Sequence, residues 1–438
     1  MALANGLIVA APRSGSGKTL VTLGLLATLK RRGIAVAPAK TGPDYIDRAI
    51  LAKVAGSEAI NLDPWAMSPD RLRSLASDHA TGADLLLIEG VMGLFDGAAD
   101  GTGSTADLAA TLKLPVILVV DAEKQGQSIA ALVSGFAKFR PDVEVAGLIV
   151  NRIATTRHEH MLLAALKPLG IPVLGVLPRR DSLHLPERHL GLVMPNEIAG
   201  FDAAVASAAQ AIEEFIDLNR LVSLSAPLAE PTSRPRDLGR LLRPLGQRIA
   251  VAMDAAFCFI YPHLLADWRA LGAEITPFSP LADQPPRMDS DAVYLPGGYP
   301  ELHGRKLTSA DHFRAGIVDA AARNALIYGE CGGYMVLGET LTDKDGETHR
   351  MTGLLPIATD ISRPKRTLGY RRLQHSGALP WPKALMGHEF HYSTGGGALP
   401  LFQSADALGT PLPPMGAVVG RVMGSYAHVI DVAEVPDG

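Results

Sequence analysis

Short apolar runs alternate with helically patterned segments through the first half of the chain. Residues 6–11, 35–40, 84–89, 116–120, 145–151 and 173–177 are mostly rich in Val, Ile and Leu, with no alternation of polarity. A strand that is apolar all along is covered on both faces, so these six are predicted as strands of a parallel sheet sandwiched by helices. Between them, residues 19–31 and 128–138 carry apolar positions at the spacing of one helix face. The βαβα rhythm predicts a doubly wound α/β sheet.

Near residue 224 the texture changes. Residues 226–244 hold four prolines, several charges and no sustained apolar period, the composition of an interdomain linker. A second α/β rhythm follows at 248–253, 274–278, 292–295, 325–328 and 417–422. The expected division is a first domain over residues 1–222, a linker over 223–246 and a second domain over 247–438.

Composition removes several classes of function. No apolar run approaches the roughly 20 residues that span a bilayer, so no membrane protein is expected. The apolar stretch at residues 6–10 lacks a basic flank and runs into a glycine-rich loop, unlike a secretory leader. Two cysteines in 438 residues cannot build a disulfide framework, which fits a cytoplasmic location. A net charge of −4 leaves no footprint for nucleic-acid binding.

Candidate chemistry sits at the ends of the predicted strands. Ser14-Gly15-Ser16-Gly17-Lys18-Thr19 joins a strand to a helix, although Pro12 stands where such phosphate loops usually start with glycine. Its backbone N–H groups would cradle the phosphates of ATP, Lys18 would reach the terminal ones, and Thr19 would ligate Mg²⁺. Lys40 precedes Asp44, Tyr45 and Asp47 at the next strand end, where ligands of open α/β sheets bind. Either carboxylate would suit the hard cation, and a helix N-terminus is the alternative reading. Glu89 ends four apolar residues in the manner of a Walker-B strand and is followed by a glycine-rich stretch. Ser104 and Thr105 are candidates for substrate contact or for a helix cap. Asn151 closes another strand and could meet the nucleobase edge.

In the second half, Gly329-Glu330-Cys331-Gly332-Gly333 reads as strand, sharp turn and helix, the setting of an exposed nucleophile. A helix N-terminus is expected to favour the Cys331 thiolate. Cys258, inside an apolar run, reads as a buried hydrophobe. His388, His391 and His428 are the candidate bases, and the glycines of Leu295–Glu301 could present oxyanion-holding N–H groups. His388 and His391 have the spacing of a metal pair but lack a third ligand.

Taken together and in order, these motifs resemble the cobyrinic/hydrogenobyrinic acid a,c-diamide synthases of cobalamin biosynthesis. The resemblance rests on residues 14–19, 40–47 (KTGPDYID), 61–65 (NLDPW), 89–97 (EGVMGLFDG), 187–192 (ERHLGL), 295–301 (LPGGYPE), 329–335 (GECGGYM) and 387–393 (GHEFHYS). It implies an N-terminal P-loop synthetase domain of the dethiobiotin-synthetase type and a C-terminal class I glutamine amidotransferase domain. By the same resemblance Cys331 is the nucleophile, His428 activates it, and Gly298 and Gly332 hold the oxyanion. The class I pattern has a glutamate two residues after the histidine, where this chain has Ile430, leaving a Cys–His dyad with Asp431 or Glu434 to orient it. The implied partners are ATP, glutamine, Mg²⁺ and an anionic corrinoid polycarboxylate, for which Arg363, Lys365, Arg366, Arg371 and Arg372 are candidate contacts. A homodimer is left open. The rival readings are cobyric acid synthase, nickel-sirohydrochlorin a,c-diamide synthase and a P-loop regulatory ATPase without amidation.

Overall fold

The computed structural model describes residues 4–180, 200–230, 241–394 and 399–433. The chain divides into two compact units, Met1–Pro235 and Arg236–Gly438.

The first unit runs β1 (Asn5–Ala10), α1 (Lys18–Arg31), β2 (Val36–Thr41), α2 (Tyr45–Ala55), β3 (Ile60–Leu62), α3 (Pro69–His79), β4 (Leu85–Glu89) and α4 (Thr105–Leu112). It continues with β5 (Val116–Asp121), α5 (Ile129–Lys138), β6 (Val145–Ile153), α6 (Thr156–Leu166), β7 (Val173–Pro178), α7 (Phe201–Phe215), α8 (Leu218–Ser223) and β8 (Ala226–Pro227). The strands lie in the order β3-β2-β4-β1-β5-β6-β7, all parallel. Central residues such as Ile8, Leu87 and Leu118 are fully enclosed, as unbroken apolar strands require. Within the segment expected to be linker, β8 pairs antiparallel with β1 and so belongs to this sheet.

The second unit opens with β9 (Arg248–Ala252), α9 (Pro262–Ala270), β10 (Glu274–Phe278), β11 (Ala292–Leu295), α10 (Gly304–Thr308), α11 (Asp311–Ala322), β12 (Leu326–Glu330) and α12 (Gly332–Leu337). Three short strands follow, β13 (Thr340–Thr342), β14 (Thr348–Arg350) and β15 (Ala358–Asp360). The unit ends with β16 (Thr367–Gln374), β17 (Ala384–His391), β18 (Phe402–Ala405), β19 (Pro411–Met415), β20 (Ala417–Val419), β21 (Val422–Ser425) and β22 (Ala427–Val432). Its main sheet has the order β10-β9-β11-β12-β21-β20. The run 417–422, expected as one strand, is a hairpin instead: Gly420 at φ 60° turns the chain and β20 pairs antiparallel with β21. A five-stranded antiparallel sheet, β19-β18-β16-β17-β22, was not visible as apolar runs because glycine, arginine, histidine and proline interrupt its strands. No helix among the described residues is long and apolar enough to cross a membrane.

Candidate active sites

At the C-terminal end of β1 the loop 12–17 turns into α1 through Gly15 and Gly17, at φ 81° and 89°. Those values are reached cheaply only by glycine. A Cβ on Gly17 would also stand 2.2 Å from the Asn151 amide nitrogen. That amide donates to the Ser16 carbonyl (2.9 Å), while its oxygen accepts from the Arg152 N–H (2.9 Å). Asn151, expected at a nucleobase, thus braces the phosphate loop. Ser14 and Gly15 are exposed at its tip.

Parallel pairing sets Lys40 of β2 beside Glu89 of β4. Lys40 Nζ lies 2.8 Å from Asp47 and 3.2 Å from Glu89, and Lys18 Nζ lies 3.2 Å from the same Glu89 oxygen. Lys18 also donates to the Gly90 carbonyl, and Thr19 Oγ1 donates to Glu89 at 2.6 Å. Burial disfavours the Lys40 ammonium, but Asp47 and Glu89 outweigh it and hold the group well above its ordinary value. Lys18 goes the other way: burial and the charge of Lys40 lower it more than Glu89 raises it. An arriving polyphosphate would therefore find two cations already gathered at the strand ends.

The oxygens fit a hard cation. Glu89 Oε2 is enclosed and has no hydrogen-bond partner among the described residues, and Thr19 and Asp47 supply further oxygens in the same cluster. Of the two alternatives, Asp47 joins this cluster, whereas Asp44 caps α2 by accepting from the Ile46 and Asp47 N–H groups. Tyr45 is buried in the first turn of α2. Ser104 forms a capping box with Asp107 on α4, and buried Thr105 bonds both the N–H and the carbonyl of Val91. Of the two readings offered for Ser104, the helix cap is the one the structure shows, and Thr105 ties α4 to the loop after β4. Asp121, missed in the sequence, gathers Arg152 (2.8 Å) and Arg13 (3.3 Å) at the end of β5. The only hint was an acid just past an apolar strand. Residues 187–192 lie outside the described residues.

In the second unit, Cys331 sits between β12 and α12 at φ 46°, ψ −108°, a strained backbone of the kind that marks nucleophile turns. Small residues make the turn fit. A Cβ on Gly333 would stand 1.9 Å from the Leu295 carbonyl, and one on Gly332 would stand 3.0 Å from the Gly298 nitrogen. The structure thereby brings Gly298 and Gly332 together. Gly297 touches both partners of the expected dyad: its Cβ would lie 2.3 Å from His428 Cε1 and 3.2 Å from Cys331 Cβ.

Both groups are buried, and Cys331 Sγ points to the Phe390 carbonyl (3.7 Å). Burial, then the Glu301 carboxylate, push the thiol well up. Burial and the neighbouring His388 and His391 push His428 down to about 3. Both shifts favour the uncharged thiol and imidazole, opposite in direction to the thiolate expected from the helix terminus. The six-residue α12 cannot offset full desolvation.

The sequence left Asp431 or Glu434 to orient His428. A bulge in the β17–β22 pairing sets Asp431 opposite Met386 and His428 opposite His388, and Asp431 accepts from the Val432 N–H; Glu434 lies outside the described residues. A third acid, Glu330, places Oε2 3.8 Å from His428 Nδ1. Glu330 is buried and accepts from Tyr294 (2.8 Å), Tyr328 (3.1 Å) and the Val429 N–H (3.1 Å). Beyond the dyad, His391 bonds Glu389 (2.8 Å) and Ser393 (3.0 Å) and stacks on Tyr426, so it is not half of a metal pair. Of the basic cluster, Arg371 is drawn to Glu389 (2.6 Å), whereas Arg363, Lys365 and Arg366 are exposed.

Comparison with known proteins accords with both halves. Residues 7–193 match the CobQ/CobB/MinD/ParA nucleotide binding domain, and residues 248–434 match the CobB/CobQ-like glutamine amidotransferase domain. The chain is 54% identical to a hydrogenobyrinate a,c-diamide synthase of Brucella abortus over 97% of this chain and 98% of that one. Enzymes of the same name from Rhizobium meliloti and Agrobacterium fabrum are 50% and 48% identical, over 98% of this chain and 100% and 99% of theirs. With such identity along nearly the whole of each chain, the protein belongs to the hydrogenobyrinate a,c-diamide synthase family.

Proposed function

We propose that the protein is an ATP- and glutamine-dependent ligase that amidates the a- and c-acetate carboxylates of hydrogenobyrinic acid or its cobalt-containing counterpart, cobyrinic acid. The name carried by its relatives supports this substrate. Two obstacles stand between a carboxylate and an amide in water: the departing oxygen is a poor leaving group, and ammonia is mostly protonated. Each unit answers one of them.

In the second unit, Cys331 attacks the glutamine carboxamide as His428 takes the thiol proton, and the backbone N–H groups of Gly298 and Gly332 receive the oxyanion. His428 then gives that proton to the amide nitrogen as the carbon–nitrogen bond breaks and ammonia leaves, and water releases glutamate from the thioester. In the first unit, the acetate carboxylate attacks the γ-phosphoryl of ATP, with Lys18 and Lys40 countering charge on the transferring group. Thr19, Glu89 and Asp47, or Asp44, would hold Mg²⁺, which when bound neutralises phosphate charge. Ammonia displaces phosphate from the acyl phosphate to give the amide, and a second round serves the other acetate. Exposed Arg363, Lys365 and Arg366 suit a polyanionic macrocycle.

The observation that carries this reading is Cys331 on its strained turn, packed with His428 around Gly297. A regulatory ATPase has no use for such a pair. The test incubates purified protein with ATP, Mg²⁺, glutamine and each candidate macrocycle, nickel-sirohydrochlorin included, and reads products by mass spectrometry. Cys331→Ser is expected to abolish glutamine-driven diamide formation while free ammonia still supports it. Loss of both would leave Cys331 a structural residue.

A further inference from the structure

We propose that Glu330, the residue immediately before the nucleophile, is the carboxylate that positions His428 and stabilises its protonated form during glutamine hydrolysis. The inference rests on the glutaminase reading of Cys331 and His428 and deepens it.

The geometry follows from strand pairing. Parallel register places Tyr294 of β11 beside Tyr328 of β12, and Glu330 lies two residues along the same strand, on the same face. The two phenol rings stack with centroids 6.0 Å apart, and each hydroxyl donates to a different oxygen of Glu330. The Val429 N–H donates to Oε1, which ties the carboxylate to β22 beside His428 itself. Oε2, which accepts from Tyr294, also lies 3.8 Å from His428 Nδ1. That separation exceeds a hydrogen bond, yet such contacts commonly close when substrate arrives.

The chemistry needs such a group. Moving the Cys331 proton to His428 creates an imidazolium in a buried site, and the groups facing it from β17 are His388 and His391, which oppose positive charge. Glu330 on β12 brings a carboxylate within ion-pair distance of His428. Its three donors prevent it from turning away.

Burial lifts the Glu330 carboxyl to about 7, offset in part by its three donors, so its charge changes over the neutral range. The test is the pH dependence of kcat and KM for glutamine hydrolysis in the full-length enzyme, Glu330→Gln and Glu301→Gln. Expected for Glu330→Gln is a fall in kcat on the order of 10- to 100-fold with KM held within about 2-fold, as for loss of the group that orients a catalytic base. The acid limb of the profile should vanish in Glu330→Gln and persist in Glu301→Gln. A lower melting temperature with an unchanged limb and kcat would overturn the proposal. If Glu330→Gln does not fold, Tyr294→Phe carries the test. It removes the donor to Oε2 and should lower kcat about 3- to 10-fold, the worth of one hydrogen bond, whereas an unchanged kcat would sink the idea. Absence of glutaminase in the unmodified enzyme would instead refute the reading of Cys331 and His428.

Discussion

Glu301 shows how one residue can set a pH dependence. Its Oε2 is enclosed without a hydrogen-bond partner among the described residues, and burial lifts its carboxyl to about 7. A folded pKa above the ordinary value of 4.5 means that folding favours the protonated form. Its contribution to stability is therefore complete below the unfolded pKa and is lost as pH rises through about 7. Replacing it with a neutral isostere removes that loss. Glu301→Gln should stabilise the second unit at alkaline pH, by at most about 3 kcal/mol, and should have little effect at acid pH. Melting curves at the two extremes check this; equal shifts at both would contradict it. Glu330 has the same sign of shift, but its three hydrogen bonds complicate the same experiment.

At the scale of elements, close approach decides which positions must be small. On α1, a Cβ at Gly24 would lie 2.7 Å from Ile212 of α7 and 3.0 Å from the Ala208 carbonyl. The helices meet there, and the obstruction includes backbone, which cannot rotate aside. Gly24→Leu should cost about 1–3 kcal/mol by overpacking, visible as a lower melting temperature of the first unit. An unchanged melting temperature would mean that α7 shifts freely. The glycines around Cys331 follow the same logic: they let the β11 loop and the start of α12 meet.

For the whole molecule, two units that each complete half of a reaction should be separable by single substitutions. Glu89→Gln removes charge from the lysine and threonine cluster, so ATP-driven amidation should fall by orders of magnitude while basal glutamine hydrolysis survives. Gly297→Ala would drive a methyl group into His428 and should do the reverse: lost glutamine use with ammonia-driven amidation retained. Assaying both variants for both half-reactions checks this. If either substitution abolishes both activities in folded protein, the division of labour is wrong.

The parts legible in the sequence are those whose signals lie in contiguous residues. Unbroken apolar runs announced the strands of the first sheet, and glycine-rich turns announced the phosphate loop and the Cys331 elbow. The polar-interrupted strands of the antiparallel sheet and the Gly420 hairpin gave weaker local signals. Only the folded chain decided that Asn151 braces Ser16, that Ser104 caps a helix, and that Glu330 comes beside His428, where it bonds an N–H ninety-nine residues away. Protonation belongs to the same class. Whether Cys331 rests as a thiol depends on desolvation and on charges from separate stretches of chain, a sum over neighbours that exists only once those stretches are packed together.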